Sequence, residues 1–364
     1  MRAISVECEG RSYKVHVGLG ILPRTGRILK DLNLSKRLIV ISNRQVLKRY
    51  GTTLNQSLRA AGFEVSMINL PDGERYKSLS TIEKIYYRLL QLRLDRKSTL
   101  VAFGGGVVGD MVGFAAATYL RGIPCIQIPT TLLAQIDSAI GGKTGVNLKG
   151  GKNLVGAFYQ PMAVIADPSL LVSLPAREFH SGLYEAIKYG IIRSRSLFDL
   201  IAQKHARFPH KDKTNLEKVV AECVGIKADV VSRDERESGL RMILNYGHTI
   251  GHALEAATQY RRLTHGEAIG HGMIMASRLA EALGKIDQAE SQEINRVVRQ
   301  FSPLPSIRSV RPQQIFRYLL SDKKIIEQRL KFVLPLRIGA VEIVSDVPRT
   351  AVEDVLRSYL HARS

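Results

Sequence analysis

The sequence predicts an α/β fold joined to a mainly helical region, with the first half built on a Rossmann-like parallel sheet. Three observations predict it. Up to about residue 170, short apolar runs alternate with amphipathic stretches, the pattern of a parallel sheet with helices on both faces. A glycine-rich turn at 104–110 lies between one of those runs and an apolar helix. From about residue 175 the strand-like runs largely vanish, long helical periods take over, and four of the nine histidines crowd between Asn245 and His271. A chain of 364 residues exceeds one typical domain, so two are expected, residues 1–170 and 171–364.

Taken in order, residues 3–8 and 12–17 alternate around Glu9, Gly10 and Arg11 and read as a hairpin. Residues 21–31 are helical. The run at 37–42 is apolar and ends in Ser42, the mark of a buried parallel strand. Residues 44–61 carry helical periodicity and stop at Gly62; 64–70 is the next strand, followed by Pro71, Asp72, Gly73, Glu74 and, shortly after, Lys77. A helix over 79–92 and a strand over 98–103 lead to the glycine turn, with an apolar helix at 111–120 behind it. Residues 123–128 and 162–166 complete the strands. The second half reads as helices over 176–192, 212–232, 242–257, 266–283 and 286–300, then a small hairpin at 329–334 and 342–344, and a final helix from about 349.

Gly104, Gly106 and Gly109 satisfy G-x-G-x-x-G between a strand and a helix. Glycines there let a backbone approach a pyrophosphate, and the helix N-terminus offers N–H donors. Gly105, Gly106, Val107, Val108, Gly109 and Asp110 are therefore a candidate dinucleotide site; a turn kept glycine-rich for close packing is the alternative. The ribose-binding acid about twenty residues on is missing, since Ile126, Gln127, Ile128 and Pro129 stand there. Asp72 and its neighbours Gly73, Glu74 and Lys77, at the end of the preceding strand, could take that role. Thr130 and Thr131 follow a strand's carboxyl end, where ligands sit in such sheets, or cap a helix. Asp137 precedes a loop region in which glycine-flanked lysines, Lys143 and Lys152, with Asn153 beside them, suggest contacts to phosphate or carboxylate; a solvated loop is the plain alternative. A Walker A loop is excluded, because the spacing before Lys143 needs Gly at 137, and Asp137 is there.

Cys8, Cys125 and Cys223 are too few and too scattered for a disulfide framework, which suits a reducing cytoplasm. The N-terminus is charged and strand-like, unlike a signal peptide, and no apolar stretch reaches membrane-span length. The formal charge of +20 would suit nucleic acid. However, the basic residues are scattered, Trp is absent, and no aromatic platform is evident, so anionic small molecules are the expected partners, with neither nucleic acid nor membrane.

Asn245, His248, His252 and Glu255 are spaced three, four and three apart, which on one helix sets them along one face. Imidazoles at i and i+4 can converge on one divalent ion, so a metal site is expected here; solvated or core-satisfied histidines are the alternative. Glu185 and Lys188, three apart, share a face among apolar and glycine neighbours, which argues for a buried pair. A buried carboxylate wants a cation or a metal. Glu185 with two histidines would make a His₂Glu set with an open position, the composition of a catalytic zinc.

Together, the runs at 104–110, 127–143, 182–190, 245–255 and 265–267 resemble the 3-dehydroquinate synthase family over nearly the whole chain. The resemblance implies an N-terminal NAD-binding domain, a helical metal- and substrate-binding domain with the active site in the cleft between, a zinc or cobalt ion, and a homodimer. It implies that Glu185, His248 and His265 are the metal ligands. His252 then faces the substrate phosphate instead, displacing the i, i+4 pair. Asn153, Lys188, Asn245 and one of Lys323 and Lys324 would be further phosphate contacts, and Arg121 would reach the partner's site. Lys227 and Arg241 would bind the substrate carboxylate, while Asp137, Lys143 and Lys152 would lie near the reacting hydroxyls and the nicotinamide. The implied reaction converts 3-deoxy-D-arabino-heptulosonate 7-phosphate to 3-dehydroquinate. A sister cyclase acting on sedoheptulose 7-phosphate or glucose 6-phosphate is the nearest alternative, and a metal-dependent NAD polyol dehydrogenase the next. A substrate without a carboxylate leaves Lys227 and Arg241 no obvious partner.

Overall fold

The structure, a computed structural model, describes residues 1–321 and 331–361. The chain divides into two compact units, one of Met1–Leu174 with Pro209–Arg236, the other of Pro175–Phe208 with Glu237–Ser364.

The first unit is built on strands β1 (Arg2–Val6), β2 (Tyr13–Val17), β3 (Arg37–Asn43), β4 (Glu64–Leu70), β5 (Thr99–Gly104), β6 (Cys125–Pro129), β7 (Lys143–Leu148), β8 (Gly151–Phe158) and β9 (Ala163–Ala166). Seven of them form one sheet in the order β1-β2-β9-β6-β5-β3-β4, parallel except for the β1–β2 hairpin. Both faces of the sheet are buried, as parallel sheets require. Successive side chains of a strand point to opposite faces. On β3, Ile39 and Ile41 therefore enter a core with Ile82, Ile85, Leu89, Met111 and Val112, while Leu38 and Val40 enter another with Leu29, Leu54 and Leu58. The sequence periods thus put the strands and their flanking helices where expected.

Three features differ from expectation. First, the units do not part in a single cut near 170. The helix Lys213–Arg233 belongs with the sheet unit, although residues 175–208 precede it in the other. Its buried face, including Val220, Val224 and Val231, packs on β1 and on the turn Ala134–Ser138, and Ser232 accepts the Glu7 N–H at 2.8 Å. Second, the region around Lys143 and Lys152 is not a loop but an antiparallel pair, β7 with β8. Its alternation is blurred by Gly145, Gly151 and Gly156. At Gly156 a Cβ would stand 2.1 Å from the Thr144 carbonyl oxygen, so close approach of two backbones forces glycine there. Third, the helix after the glycine turn starts at Gly106, earlier than 111, and spans Gly106–Thr118.

The second unit is helical, with Ala176–Arg193, Arg195–Lys204, His248–Ala257, His265–Ala282, Gln288–Gln300, Pro312–Ser321 and Arg349–His361, plus the hairpin β10 (Phe332–Arg337) and β11 (Ala340–Val344). The helix His265–Ala282 approaches both the helix from Ala176 and the start of the helix from His248 closely, and glycine permits it. A Cβ at Gly272 would lie 1.9 Å from the Gly247 carbonyl oxygen, and one at Gly266 would lie 2.1 Å from that of Ser181. The helix His265–Ala282 is anchored by a capping box between Thr264 and Glu267. Arg177 reinforces it with a two-pronged contact to Glu267, at 2.8 and 2.7 Å.

Candidate active site

In the sheet unit the predicted nucleotide residues gather at the carboxyl ends of β3, β4, β5 and β6. Gly105 caps the helix Gly106–Thr118 with no side-chain hydrogen bond, so side chains leave the first turn's N–H groups open to an anion. The glycines also let neighbours close in. A Cβ at Gly106 would lie 2.9 Å from Ser138 Oγ, one at Gly105 3.0 Å from Thr131 Cγ2, and one at Gly109 2.9 Å from Gln127 Oε1. Close packing alone therefore favours glycine at these positions. Val108 is buried and Val107 partly so, holding the turn on the core. Asp72 accepts a hydrogen bond from Asn43 Nδ2 at 3.0 Å, which fixes a carboxylate between the ends of β3 and β4. Gly73, at φ +111°, makes the turn that follows. Thr131 Oγ1 accepts from Ala134 N at 3.2 Å and so acts as a cap, while Thr130 donates its backbone N–H to Gly104 at 2.9 Å.

Lys77 is the centre of a polar network. It is buried, pairs closely with Asp110, and donates to Asn153 Oδ1 at 2.5 Å. Burial pushes the Asp110 carboxyl up, and the Lys77 ammonium opposes that. Asn147 donates to Glu74 Oε1 at 2.7 Å and accepts from Asn153 N at 2.9 Å. Asn153, expected beside the substrate phosphate, is thus tied by Lys77 into the nucleotide-side residues, in a left-handed conformation (φ 55°) that asparagine tolerates. Asn147 is a residue the sequence reading missed, because its role depends on the β7–β8 hairpin. Lys143 begins β7 and is exposed, and Lys152 lies in β8 half-buried. Asp137 and Lys227 form a close ion pair inside this unit. Arg121 is exposed and, like Leu120 before it, left-handed.

In the helical unit, Glu185, His248 and His265 converge, with one ligand atom from each within 4.8 Å of the others. Their positions derive from the glycine contacts already described. Gly266 seats the start of one helix on Ser181, one turn before Glu185, and Gly247, left-handed at φ 78°, starts the helix that opens with His248. Glu185 is completely buried, and neither carboxylate oxygen has a hydrogen-bond partner of good geometry; Lys188 Nζ, also buried, lies 2.5 Å from Oε2 as an ion pair. Nε2 of both histidines stands 3.6 Å from Glu185 Oε1.

The tautomers follow from the other ring nitrogens. His248 Nδ1 lies 3.1 Å from the Tyr246 carbonyl, which can only accept, so Nδ1 carries the proton and Nε2 keeps its lone pair toward Glu185. Burial, with the Lys188 charge next, holds His248 well below the usual histidine range, hence neutral. At His265 burial also opposes charge, but the hydrogen bond and charge of Glu255, with Glu185 behind them, outweigh it and raise the value. A buried carboxylate oxygen without a hydrogen bond, faced by Nε2 of two imidazoles at 3.6 Å, is a donor set that fits a divalent cation.

His252 lies one turn along, its ring centroid 5.3 Å from that of His248 and 6.0 Å from that of His265. Asn245 does not share that helix. It ends the 3-10 helix Leu240–Asn245, and the left-handed Gly247 separates it from the helix carrying the histidines. The expected single helical face therefore begins only at His248. Asn245 Nδ2 instead donates to Glu237 Oε1 at 2.7 Å, a partner that nothing in the sequence pattern indicated. Arg241 is fully buried in the same 3-10 helix. Lys323 and Lys324 lie outside the described residues.

Solved structures share this fold along almost the whole chain. A 2-deoxy-scyllo-inosose synthase complexed with carbaglucose-6-phosphate, NAD+ and Co2+ superimposes with a TM-score of 0.87 at 30% identity, covering 98% of this chain and 100% of that one. The 2-epi-5-epi-valiolone synthase of Streptomyces hygroscopicus subsp. jinggangensis, with NAD+ and Zn2+ bound, gives 0.86 at 29%, covering 97% and 98%. The chain is therefore of the sugar-phosphate cyclase class, whose two solved members here carry NAD+ with Co2+ or Zn2+. Within that class, family models for the N-terminal and C-terminal parts of 3-dehydroquinate synthase match residues 67–181 and 182–325. The 3-dehydroquinate synthase of Solibacter usitatus is 44% identical over 360 residues, 99% of this chain and 100% of that protein. The chain belongs to the 3-dehydroquinate synthase family.

Proposed function

We propose that the chain converts 3-deoxy-D-arabino-heptulosonate 7-phosphate to 3-dehydroquinate and phosphate. The route is transient oxidation, phosphate elimination, reduction, ring opening and intramolecular aldol closure, within aromatic amino acid biosynthesis. Bound NAD supplies a reversible hydride acceptor, and a bound divalent ion a Lewis acid for the substrate hydroxyls. Glu185, His248 and His265 would hold the ion. The N-terminus of the helix Gly106–Thr118, with Asp72, Gly73, Glu74, Lys77, Thr130 and Thr131, would hold the nucleotide.

Lys188, Asn245 and His252 hold the phosphate for elimination, which is positioning more than proton transfer. Lys227 and Arg241 take the substrate carboxylate, with charge-assisted hydrogen bonds suited to it. Asp137, Lys143, Lys152 and Asn153 complete the polar surroundings, and Arg121 serves a partner subunit in a homodimer. The cytoplasm is the expected compartment: no described helix is long and apolar enough to cross a membrane, and all three cysteines are free thiols.

Glu185 carries this reading: a fully buried carboxylate, paired with Lys188 through Oε2, turns Oε1 without a hydrogen bond toward two imidazole nitrogens at 3.6 Å. In the test, purified protein with NAD and a divalent metal releases phosphate from the heptulosonate phosphate with no net NADH accumulation. Phosphate release from sedoheptulose 7-phosphate or glucose 6-phosphate instead would reassign it to a sister cyclase, and steady NADH production from a polyol to a dehydrogenase.

A further inference from the structure

We propose that Glu255 is a positioning residue for the metal site, holding His265 in the tautomer that presents Nε2 to the cation. The inference rests on the assignment of Glu185, His248 and His265 as ligands. The two histidines are oriented by different means. His248 is held by a backbone carbonyl, that of Tyr246, which no side-chain substitution removes. His265 Nδ1 lies 3.4 Å from Glu255 Oε2, and its Nε2 lies 3.6 Å from Glu185 Oε1. One ring thus bridges two carboxylates. A carboxylate that accepts from Nδ1–H leaves the Nε2 lone pair free and makes the imidazole a better donor.

Charge argues the same way. Glu185 is already paired with the buried Lys188, so a dication beside that pair meets no net negative charge from it. Glu255, itself buried, places a second carboxylate on the far side of His265. Its place on the helix follows from the spacing His248, His252, Glu255, because the partner ring comes from the next helix.

His252, Glu255 and His265 also form a second group whose ligand atoms lie within 4.8 Å, so direct ligation by Glu255 is the competing role. The two are separable by Glu255→Gln and Glu255→Ala, with Glu185→Gln as reference. Zinc affinity is read by chelator competition. The optical spectrum of the cobalt-loaded protein reports coordination, and imidazole nitrogen NMR of the zinc-loaded protein reports which nitrogen of His265 is protonated. Positioning predicts a loss of about 10- to 100-fold in affinity for Glu255→Ala, a smaller loss for Glu255→Gln, which keeps an acceptor, and an unchanged cobalt coordination number in both.

Wild-type affinity in Glu255→Gln and Glu255→Ala, with loss in Glu185→Gln, overturns the role of Glu255 alone. Wild-type affinity in Glu185→Gln overturns the ligand assignment beneath it. A changed cobalt coordination number in Glu255→Gln makes Glu255 a ligand. If Glu255→Ala does not fold, the near-isosteric Glu255→Gln still decides.

Discussion

Replacing Glu185 by Gln removes a charge from the centre of the helical unit and almost no volume. Two losses follow, and they can be separated. The first is metal: the site keeps two neutral imidazoles but no anionic ligand, so zinc content after dialysis against a weak chelator should fall from near one per chain to a small fraction. The second is stability without metal. Lys188 is 1% exposed and its Nζ lies 2.5 Å from the Glu185 carboxylate, so the variant keeps an ammonium buried while removing the charge beside it. Breaking one side of such a pair costs about 3–5 kcal/mol. There is a ceiling, because Lys188 can shed its proton. From an ordinary lysine value of about 10.4, deprotonation at pH 7 costs about 4.6 kcal/mol, falling to about 2 kcal/mol at pH 9. Urea unfolding of EDTA-treated protein at both pH values measures this. The double variant Glu185→Gln/Lys188→Met should regain most of the stability, since a buried pair replaced whole is close to neutral, yet remain metal-free. A single variant as stable as wild type, with a penalty that does not change with pH, would refute the buried-pair argument; retained zinc would refute the ligand set.

Two further outcomes follow from the same helices. His271 Nε2 donates to the Pro305 carbonyl at 3.0 Å, so Nδ1 accepts from the Tyr359 hydroxyl at 2.8 Å, and burial pushes its value down to about 4. The folded state therefore binds fewer protons than the unfolded one between about pH 6.5 and 4, and stability is lost as the pH falls through that window. Going from pH 7 to pH 5, this group alone should cost about 2 kcal/mol, and denaturant unfolding of His271→Gln should show that much less dependence on pH. In Gly272→Ala, a Cβ meeting the Gly247 carbonyl oxygen at 1.9 Å must push two helices apart. About 1–3 kcal/mol of destabilisation together with weaker zinc binding is expected, and a variant with wild-type zinc affinity would show that helix spacing does not set the site.

Much of the sheet was legible because burial on both faces gives unmistakable apolar runs such as Leu38, Ile39, Val40 and Ile41, all buried. The β7–β8 hairpin was not, because glycines demanded by backbone approach erase the alternation that marks a strand. At the candidate metal site, the histidine spacing pointed to the helix His248–Ala257, but not to Glu185 and His265, which converge on it from other helices. A helical period reports which residues share a face, whereas side chains contributed by three separate helices are joined only by packing, here through Gly247, Gly266 and Gly272. Asn245 shows the converse: its spacing fits a helix, and one left-handed glycine takes it off the face. Glu237 and Glu255 were not assigned because each acts on a residue it supports, and such second-hand roles leave no period in the chain.

The interrupted course of the sheet unit bears on how the protein is made. Its last helix, Lys213–Arg233, is encoded after the first helices of the other unit. During synthesis at about 5–20 residues per second, the sheet waits several seconds for it. In that interval β1 and the turn Ala134–Ser138 lack their cover, and Asp137 lacks Lys227. A fragment meant to carry the nucleotide half alone therefore has to extend to Arg236. A cut near 170 does not separate two modules but leaves one of them unfinished, with an apolar face open to chaperones and to its own kind.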